Sequence, residues 1–355
     1  MFFSPVSEIE TQLMPALART SFTPLSEDAI KLREILQGAR RVMLTAPAPA
    51  DGDSIGSQLA MRMIIRQHFP ELEVRIVNED VLLDRYLHLP QSRDVDLPNR
   101  FRPGDFDVGI VFDGGEERIG AAQPLFHACK YTAQIDHHAV GTPYPYHVRV
   151  WDPGAAATTE VIYRLTLAPA LSYTLDSDIA QCFYVGLIFD TGYFRHGNTT
   201  PETLEFCAAL LRTGFNFSEV GERAMLERTM GGIQLMGRVM AEVKSSAGGR
   251  VLSGSVPREL LTHFAARDED RDGIIDQLTL VQGVEVAVLF HETQPGDVKL
   301  SFRSKTDFDV ATFAERLNPL GGGHRKASGC TMKGPLSEVI KTVLAQLEQD
   351  FAKRT

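Results

Sequence analysis

Short apolar runs rich in β-branched residues recur along the chain. They are Arg41–Ala46, Glu73–Asn78, Val108–Phe112, Tyr131–Ile135 and Phe183–Phe189, each bounded by polar or turn-forming residues. Such runs predict buried strands, although Phe183–Phe189 could equally be a buried helix. Between the first two, Ser54–Phe69 places Ile55, Leu59, Met63 and Ile64 on one helical face. Before them, Ser26–Leu36 starts like a helix, with Ser26 as N-cap and Glu27 and Asp28 in the first turn. Strands and helices alternate to about residue 215, and that alternation predicts a parallel sheet covered by helices.

Residues 202–245 carry helical patterns, Glu202–Thr213 and then a longer stretch, Ser218–Val243. A turn at Ala247-Gly-Gly-Arg250 opens a second region, with strands expected at Val251–Val256, Val284–His291 and Val298–Arg303 and helices at 308–317 and 336–352. The fold class expected is therefore α/β in two domains. The first has a parallel sheet flanked by helices; the second is smaller, with a mixed sheet. The expected division is an N-terminal extension over 1–25, a first domain over 26–215, a helical connector over 216–245 and a second domain over 246–355.

A chain of 355 residues is long enough for two such domains. It has no apolar run of about 18 residues, so no transmembrane helix is expected. Met1-Phe-Phe-Ser-Pro-Val-Ser-Glu lacks the basic and apolar regions of a secretory signal. Cys129, Cys182, Cys207 and Cys330 form no CxxC pair, which fits reduced thiols in a cytoplasmic protein. The net charge of -10 argues against tight binding to long duplex nucleic acid. It leaves room for a small phosphorylated ligand held by a few arginines, backbone amides and metal charge.

The chemistry gathers where the predicted strands end: Asp51-Gly-Asp53, Asp113, Asp136-His137-His138 and Asp190. Ligands of open parallel sheets bind outside the carboxyl ends of the strands. Carboxylates crowded there repel one another and take up protons unless a cation neutralises them. Metal ions are the economical explanation. Singly, each motif has an ordinary reading: a turn with an N-cap, a strand terminator before Gly114-Gly115, a surface histidine pair, a capped loop before Pro201. Consecutive histidines at a strand end point in different directions, so one can bind metal while the other faces substrate. The tail after Asp190, with Arg195, His196 and Asn198–Pro201, is rich in donors for phosphate oxygens.

Order, spacing and flanks of these motifs resemble the DHH phosphoesterase superfamily. Asp152-Pro153 and Ala155-Ala-Ala-Thr-Thr-Glu160 resemble its segment after the triplet, and Ser301–Ser304 with Gly321-Gly-Gly-His324 resemble its associated C-terminal domain. The branch most similar holds oligoribonuclease/pAp phosphatases. The resemblance implies a manganese site of two ions in a cleft between the domains. Asp113 bridges both ions, Asp51 serves the first, and Asp53, His137 and Asp190 serve the second. Asp136 orients His137 or tunes the site from behind the ligands, and His138 lies near the leaving group. A metal-bound hydroxide attacks phosphorus, with Asp113, His137 and His138 as the catalytic set. Arg195, Arg303, Ser304, Gly321, Gly322, Gly323 and His324 bind a small nucleotide or short single-stranded oligonucleotide. The resemblance is also compatible with a homodimer.

One position departs from the pattern. Where the family's first motif begins with histidine, this chain has Pro47, which has no side-chain ligand atom. That leaves the first ion in doubt, and it keeps a non-catalytic nucleotide-binding protein as an alternative beside a cyclic-dinucleotide phosphodiesterase. Asp268-Glu-Asp-Arg-Asp-Gly273 mimics the front of a calcium loop, but Thr279 stands where such a loop needs glutamate. The expected reading is an acidic loop capping the next helix.

Overall fold

A computed structural model describes residues 22–139 and 143–354, with only the backbone of His324. Most of the expected N-terminal extension, residues 1–21, lies outside the described residues, as does the side chain of His324. The chain forms two compact units, one ending at Glu227 and one beginning at Arg228.

The first unit runs α1 (Ser26–Gln37), β1 (Arg41–Thr45), α2 (Gly52–His68), β2 (Glu73–Val77), β3 (Val95–Asp96), β4 (Val108–Phe112), α3 (Gln123–His127), β5 (Tyr131–Asp136), β6 (Val148–Trp151), α4 (Thr158–Thr166), α5 (Ser177–Asp190), α6 (Pro201–Leu211) and α7 (Phe217–Gly221). Its sheet has the order β3-β2-β1-β4-β5-β6, and every pairing is parallel. The order reverses direction between β1 and β4, which opens a crevice beyond their carboxyl ends. The segments leaving these two strands carry Asp51, Asp53 and Asp113. Leu44, Ile110 and Ile135 of the strands pack with Leu59, Ile64, Val161, Phe183 and Phe206 of the helices in one core.

The run Phe183–Phe189 is helical, inside α5. Asp176 caps that helix, accepting from the amides of Asp178 and Ile179. The helix is apolar on all sides because it is buried on nearly all sides, and this hides the helical period. Asp190 therefore ends a helix, not a strand. Close packing of α5 on α2 depends on glycine: a Cβ at Gly56 would meet the Cys182 carbonyl oxygen at 2.4 Å. Ser26 does not cap α1; Leu25 occupies that position, with no side-chain cap.

The expected helix Ser218–Val243 is broken. After α7 comes a π-helical turn, Glu222–Leu226, then extended backbone at Glu227. Thr229 caps a new helix, its hydroxyl accepting from the Gly232 amide.

That helix, α8 (Met230–Ala241), begins the second unit. It continues β7 (Lys244–Ser246), β8 (Val251–Val256), α9 (Arg258–His263), α10 (Ile274–Thr279), β9 (Val286–Gln294), β10 (Asp297–Ser304), α11 (Val310–Leu317), β11 (Gly322–His324), β12 (Ala327–Lys333) and α12 (Leu336–Ala352). The sheet, β11-β12-β10-β9-β8-β7, is mixed: β8 and β9 are parallel and the other pairs antiparallel. Alternation along β9 sends Val286, Val288 and Phe290 into the core with α11 and α12. Ala287 and Leu289 face the core with α8 and α10. No helix of the described residues is long and apolar enough to cross a membrane.

Candidate metal centre

Four side chains from four elements meet at the crevice. Ligand atoms of Asp53, Asp113, His137 and Asp190 all lie within 4.8 Å of one another, and so do those of Asp113, His137 and His138. Asp53 belongs to the first turn of α2 and is wholly buried. Asp113 follows β4 in a left-handed conformation, φ 60°, a region that aspartate tolerates better than most residues. His137 and His138 follow β5, and Asp190 ends α5.

Each member is fixed from behind. The amides of Thr158 and Thr159, at the start of α4, donate to the two oxygens of Asp53 at 2.5 and 3.0 Å. The Asp113 carboxylate accepts from Ser54 Oγ at 2.7 Å and Thr158 Oγ1 at 3.3 Å. His137 Nδ1 faces the Ala155 carbonyl oxygen at 3.3 Å. Nδ1 is thereby oriented toward the carbonyl, and Nε2 is turned toward Asp190 at 2.9 Å and Asp113 at 3.6 Å. Asn198 Nδ2 donates to the Ala156 and Asp190 carbonyls, tying the segment before α4 to the end of α5. A Cβ at Gly186 would stand 2.5 Å from Asp53 Oδ1; glycine leaves room there for the carboxylate.

The electrostatics are those of a cation site. Burial, and then the charges of Asp51, Asp53 and Asp190, push Asp113 well above the usual carboxylate range. Burial and Asp53 raise Asp190 to about 7, against the pull of its hydrogen bond with His137. Burial disfavours charge on His137, but the bond to Asp190 and the surrounding carboxylates outweigh it and hold the imidazole at about 10. The cluster thus keeps protons in place of a cation. Its mixed carboxylate and imidazole atoms fit a hard-to-borderline divalent ion.

The remaining expected residues fall in several places. Asp51 caps α2, its Oδ1 accepting from the amides of Asp53 and Ser54, and burial, with the charge of Asp53, pushes its carboxyl up against those bonds. It belongs to neither four- nor three-residue cluster. Pro47 is buried, and its ring occupies the space a Gly114 side chain would need, with Cγ 2.7 Å from the Cβ position. Asp136 reaches His138 and not His137: its Oδ1 accepts from the His138 amide and faces His138 Nδ1 at 2.8 Å. Burial alone would lift the Asp136 carboxyl, yet the bonds from His138 hold it below the usual range.

Arg195 is exposed, with Nε donating to the Gly192 carbonyl. In the second unit, Arg303 pairs with Asp276 at 3.3 Å, and the Ser304 hydroxyl is spent on the Thr306 carbonyl. Gly321 precedes β11, and Gly322 and Gly323 form a strand with the His324 backbone. Across β12, Ala327 pairs with both Arg303 and His324. A Cβ at Gly323, φ 136°, would strike the Ala327 carbonyl oxygen at 2.7 Å. The acidic loop at Asp268–Gly273 does not cap α10 through a side chain. Its Asp270 is buried and accepts from Thr229 Oγ1 and the Arg267 amide, which supports the start of α8.

Sequence reasoning singled out neither Ser54 nor the Thr158 and Thr159 amides. A serine three residues past an N-cap carries no mark of its own, and backbone donors have none. The Thr-Thr pair before an apolar run was the available sign of a helix start.

Fold and centre together define a hydrolase acting on phosphate esters. The chain belongs to the DHH family: it matches the DHH family, N-terminal domain over residues 41–187 and the DHHA1 domain over residues 248–353. A relative from Thermus thermophilus, called bifunctional oligoribonuclease and PAP phosphatase NrnA, is 31% identical over 305 residues, or 85% of this chain and 88% of the relative. An exopolyphosphatase-related protein from Bacteroides fragilis shares the fold with a TM-score of 0.83 at 21% identity, over 92% of this chain and 98% of that one. RecJ in complex with Mn2+ from Thermus thermophilus gives a TM-score of 0.58 at 16% identity, over 96% of this chain and 56% of that one.

Proposed function

We propose that this chain hydrolyses phosphate esters of small nucleotides, pAp or short single-stranded oligonucleotides, with manganese as the metal. The observation that carries the reading is the convergence of Asp53, Asp113, His137 and Asp190 within 4.8 Å, behind a shell of fixed donors. The name of the relative 31% identical supports the substrate class, and manganese in RecJ of the same fold supports the metal.

Asp53, Asp113, His137 and Asp190 would hold one ion. A second would have Asp51 and Asp113 for ligands and would bind more weakly, because Pro47 contributes no ligand atom and Asp51 is partly spent on capping α2. Bound ions supply charge neutralisation and activation of water at neutral pH. The chain's own groups do the rest. His138 Nδ1 faces Asp136 Oδ1 at 2.8 Å, which orients the imidazole whose role is to protonate the departing alkoxide. Thr158 and Ser54 keep the Asp113 carboxylate from swinging. Arg195 is the first unit's candidate for phosphate recognition, and Arg303 with the backbone of Gly322–His324 is the second unit's. Arg303 must leave Asp276 for that role.

Incubation with manganese and pAp, a linear dinucleotide or a cyclic dinucleotide, with chromatography of the products, tests the proposal. The expected result is release of phosphate from pAp and mononucleotides from the linear dinucleotide, both lost in Asp113→Ala. Preferential turnover of the cyclic compound would reassign the substrate, and turnover surviving in Asp113→Ala would remove the metal-centred reading.

A further inference from the structure

The chain has a single tryptophan, and it stands beside the metal centre. Trp151 is the last residue of β6, at the ligand-binding end of the parallel sheet, in register with Asp136 of β5. Its indole N–H donates to the His138 carbonyl at 2.7 Å. The guanidinium of Arg149, two residues earlier on the same face of the strand, lies over the ring at 5.1 Å from its centroid. The residue is nevertheless 43% exposed. A tryptophan serving the core alone would bury its ring and leave at most its N–H at the surface. Here the polar end is anchored and the apolar ring is presented to solvent.

We propose that Trp151 is a stacking platform for a nucleobase of the substrate, on the side of the nucleotide whose oxygen departs next to His138. The inference rests on the hydrolase reading and narrows its substrate: a leaving group carrying a planar base. The hydrogen bond to His138 fixes the indole before substrate arrives, so little ordering accompanies stacking. The base takes the ring face opposite Arg149, and Arg149 adds positive charge toward the substrate's phosphate backbone. Stacking tolerates any base, because every base has a π-face. The platform therefore favours nucleotides over base-free phosphate esters without choosing among bases.

Being the sole tryptophan, Trp151 reports directly. Titration of the manganese-loaded protein with AMP is expected to change its emission saturably, at the affinity seen by calorimetry. Trp151→Ala is expected to raise KM for a linear dinucleotide by about tenfold or more, the range seen for lost base stacking. It is also expected to shrink the wild type's preference for that dinucleotide over the same compound with an abasic leaving nucleoside. Trp151→Phe restores most of the effect. AMP binding with unchanged emission, no AMP binding at all, or an unaltered preference in Trp151→Ala each overturns the platform. Wild type that binds AMP through Trp151 yet hydrolyses no dinucleotide sinks the hydrolase reading and leaves the platform standing.

Discussion

Thr158 touches two of the proposed metal ligands at once. Its amide donates to Asp53 and its hydroxyl to Asp113. Thr158→Val keeps the amide and the shape but removes the hydroxyl, so one oxygen of a crowded carboxylate is left to drift. Partners behind metal ligands commonly account for about tenfold to a hundredfold in affinity. Manganese affinity by calorimetry is expected to fall toward that range in Thr158→Val and to recover in Thr158→Ser; equal affinity in all three proteins would make the hydroxyl irrelevant. Pro47 invites the opposite experiment. Pro47→His restores an imidazole beside Asp113, and a weak second manganese site is expected to tighten. Loss of the ring's packing on Gly114 with no gain in occupancy would mean that the pocket is built for proline.

Much of this scale was legible in the chain before its fold. Asp53, Asp113, His137 and Asp190 stood out because four acid-bearing motifs ended apolar runs in one order. What stayed hidden were partners without a side-chain signature, namely the Thr158 and Thr159 amides and the Ala155 carbonyl. The target of Asp136 was also hidden. A carboxylate beside two consecutive histidines can turn to either, and only the backbone path after β5 brings His138 to it.

At the scale of elements, the centre depends on how closely α5 approaches α2 and α4. Gly186 is where α5 meets the centre itself: a methyl group there would sit 2.5 Å from both Asp53 Oδ1 and Thr159 Cγ2. Gly186→Ala is expected to lower stability by about 1–3 kcal/mol, as overpacking usually does. Manganese affinity should drop with it, because the displaced atoms belong to the centre. Chemical denaturation and metal titration of the same variant check both; a stability loss with intact metal binding would separate packing from the site. Two features of these elements were not decided by the sequence. A helix buried all round, like α5, shows no polar face, and so Phe183–Phe189 reads as strand or helix alike. The break at Glu222–Thr229 was equally silent, since Glu222–Leu226 contains no proline or glycine to announce a π turn.

At the scale of the whole molecule, the first unit carries a buried cluster whose charge is balanced by protons when no cation is bound. Asp190 rises from 3.8 to about 7 on folding. A raised carboxyl adds stability at low pH that disappears as pH climbs through the folded value. Asp113 acts in the same direction. His137, raised from 6.5 to about 10, loses its contribution between those two values. Metal-free protein is therefore expected to lose thermal stability as pH rises from about 4 to about 7, between the unfolded and folded values of Asp190, while manganese offsets that loss. The gap in Tm between loaded and metal-free protein should widen across the same window. A gap that is constant or narrows with rising pH is inconsistent with a cation replacing those protons.

The most direct measurement is anomalous diffraction at the manganese edge from crystals grown with the ion. The account predicts a strong peak among Asp53, Asp113, His137 and Asp190, with a weaker one on the Asp51 side of Asp113. A crevice without manganese, its carboxylates still paired with protons and amides, would contradict it.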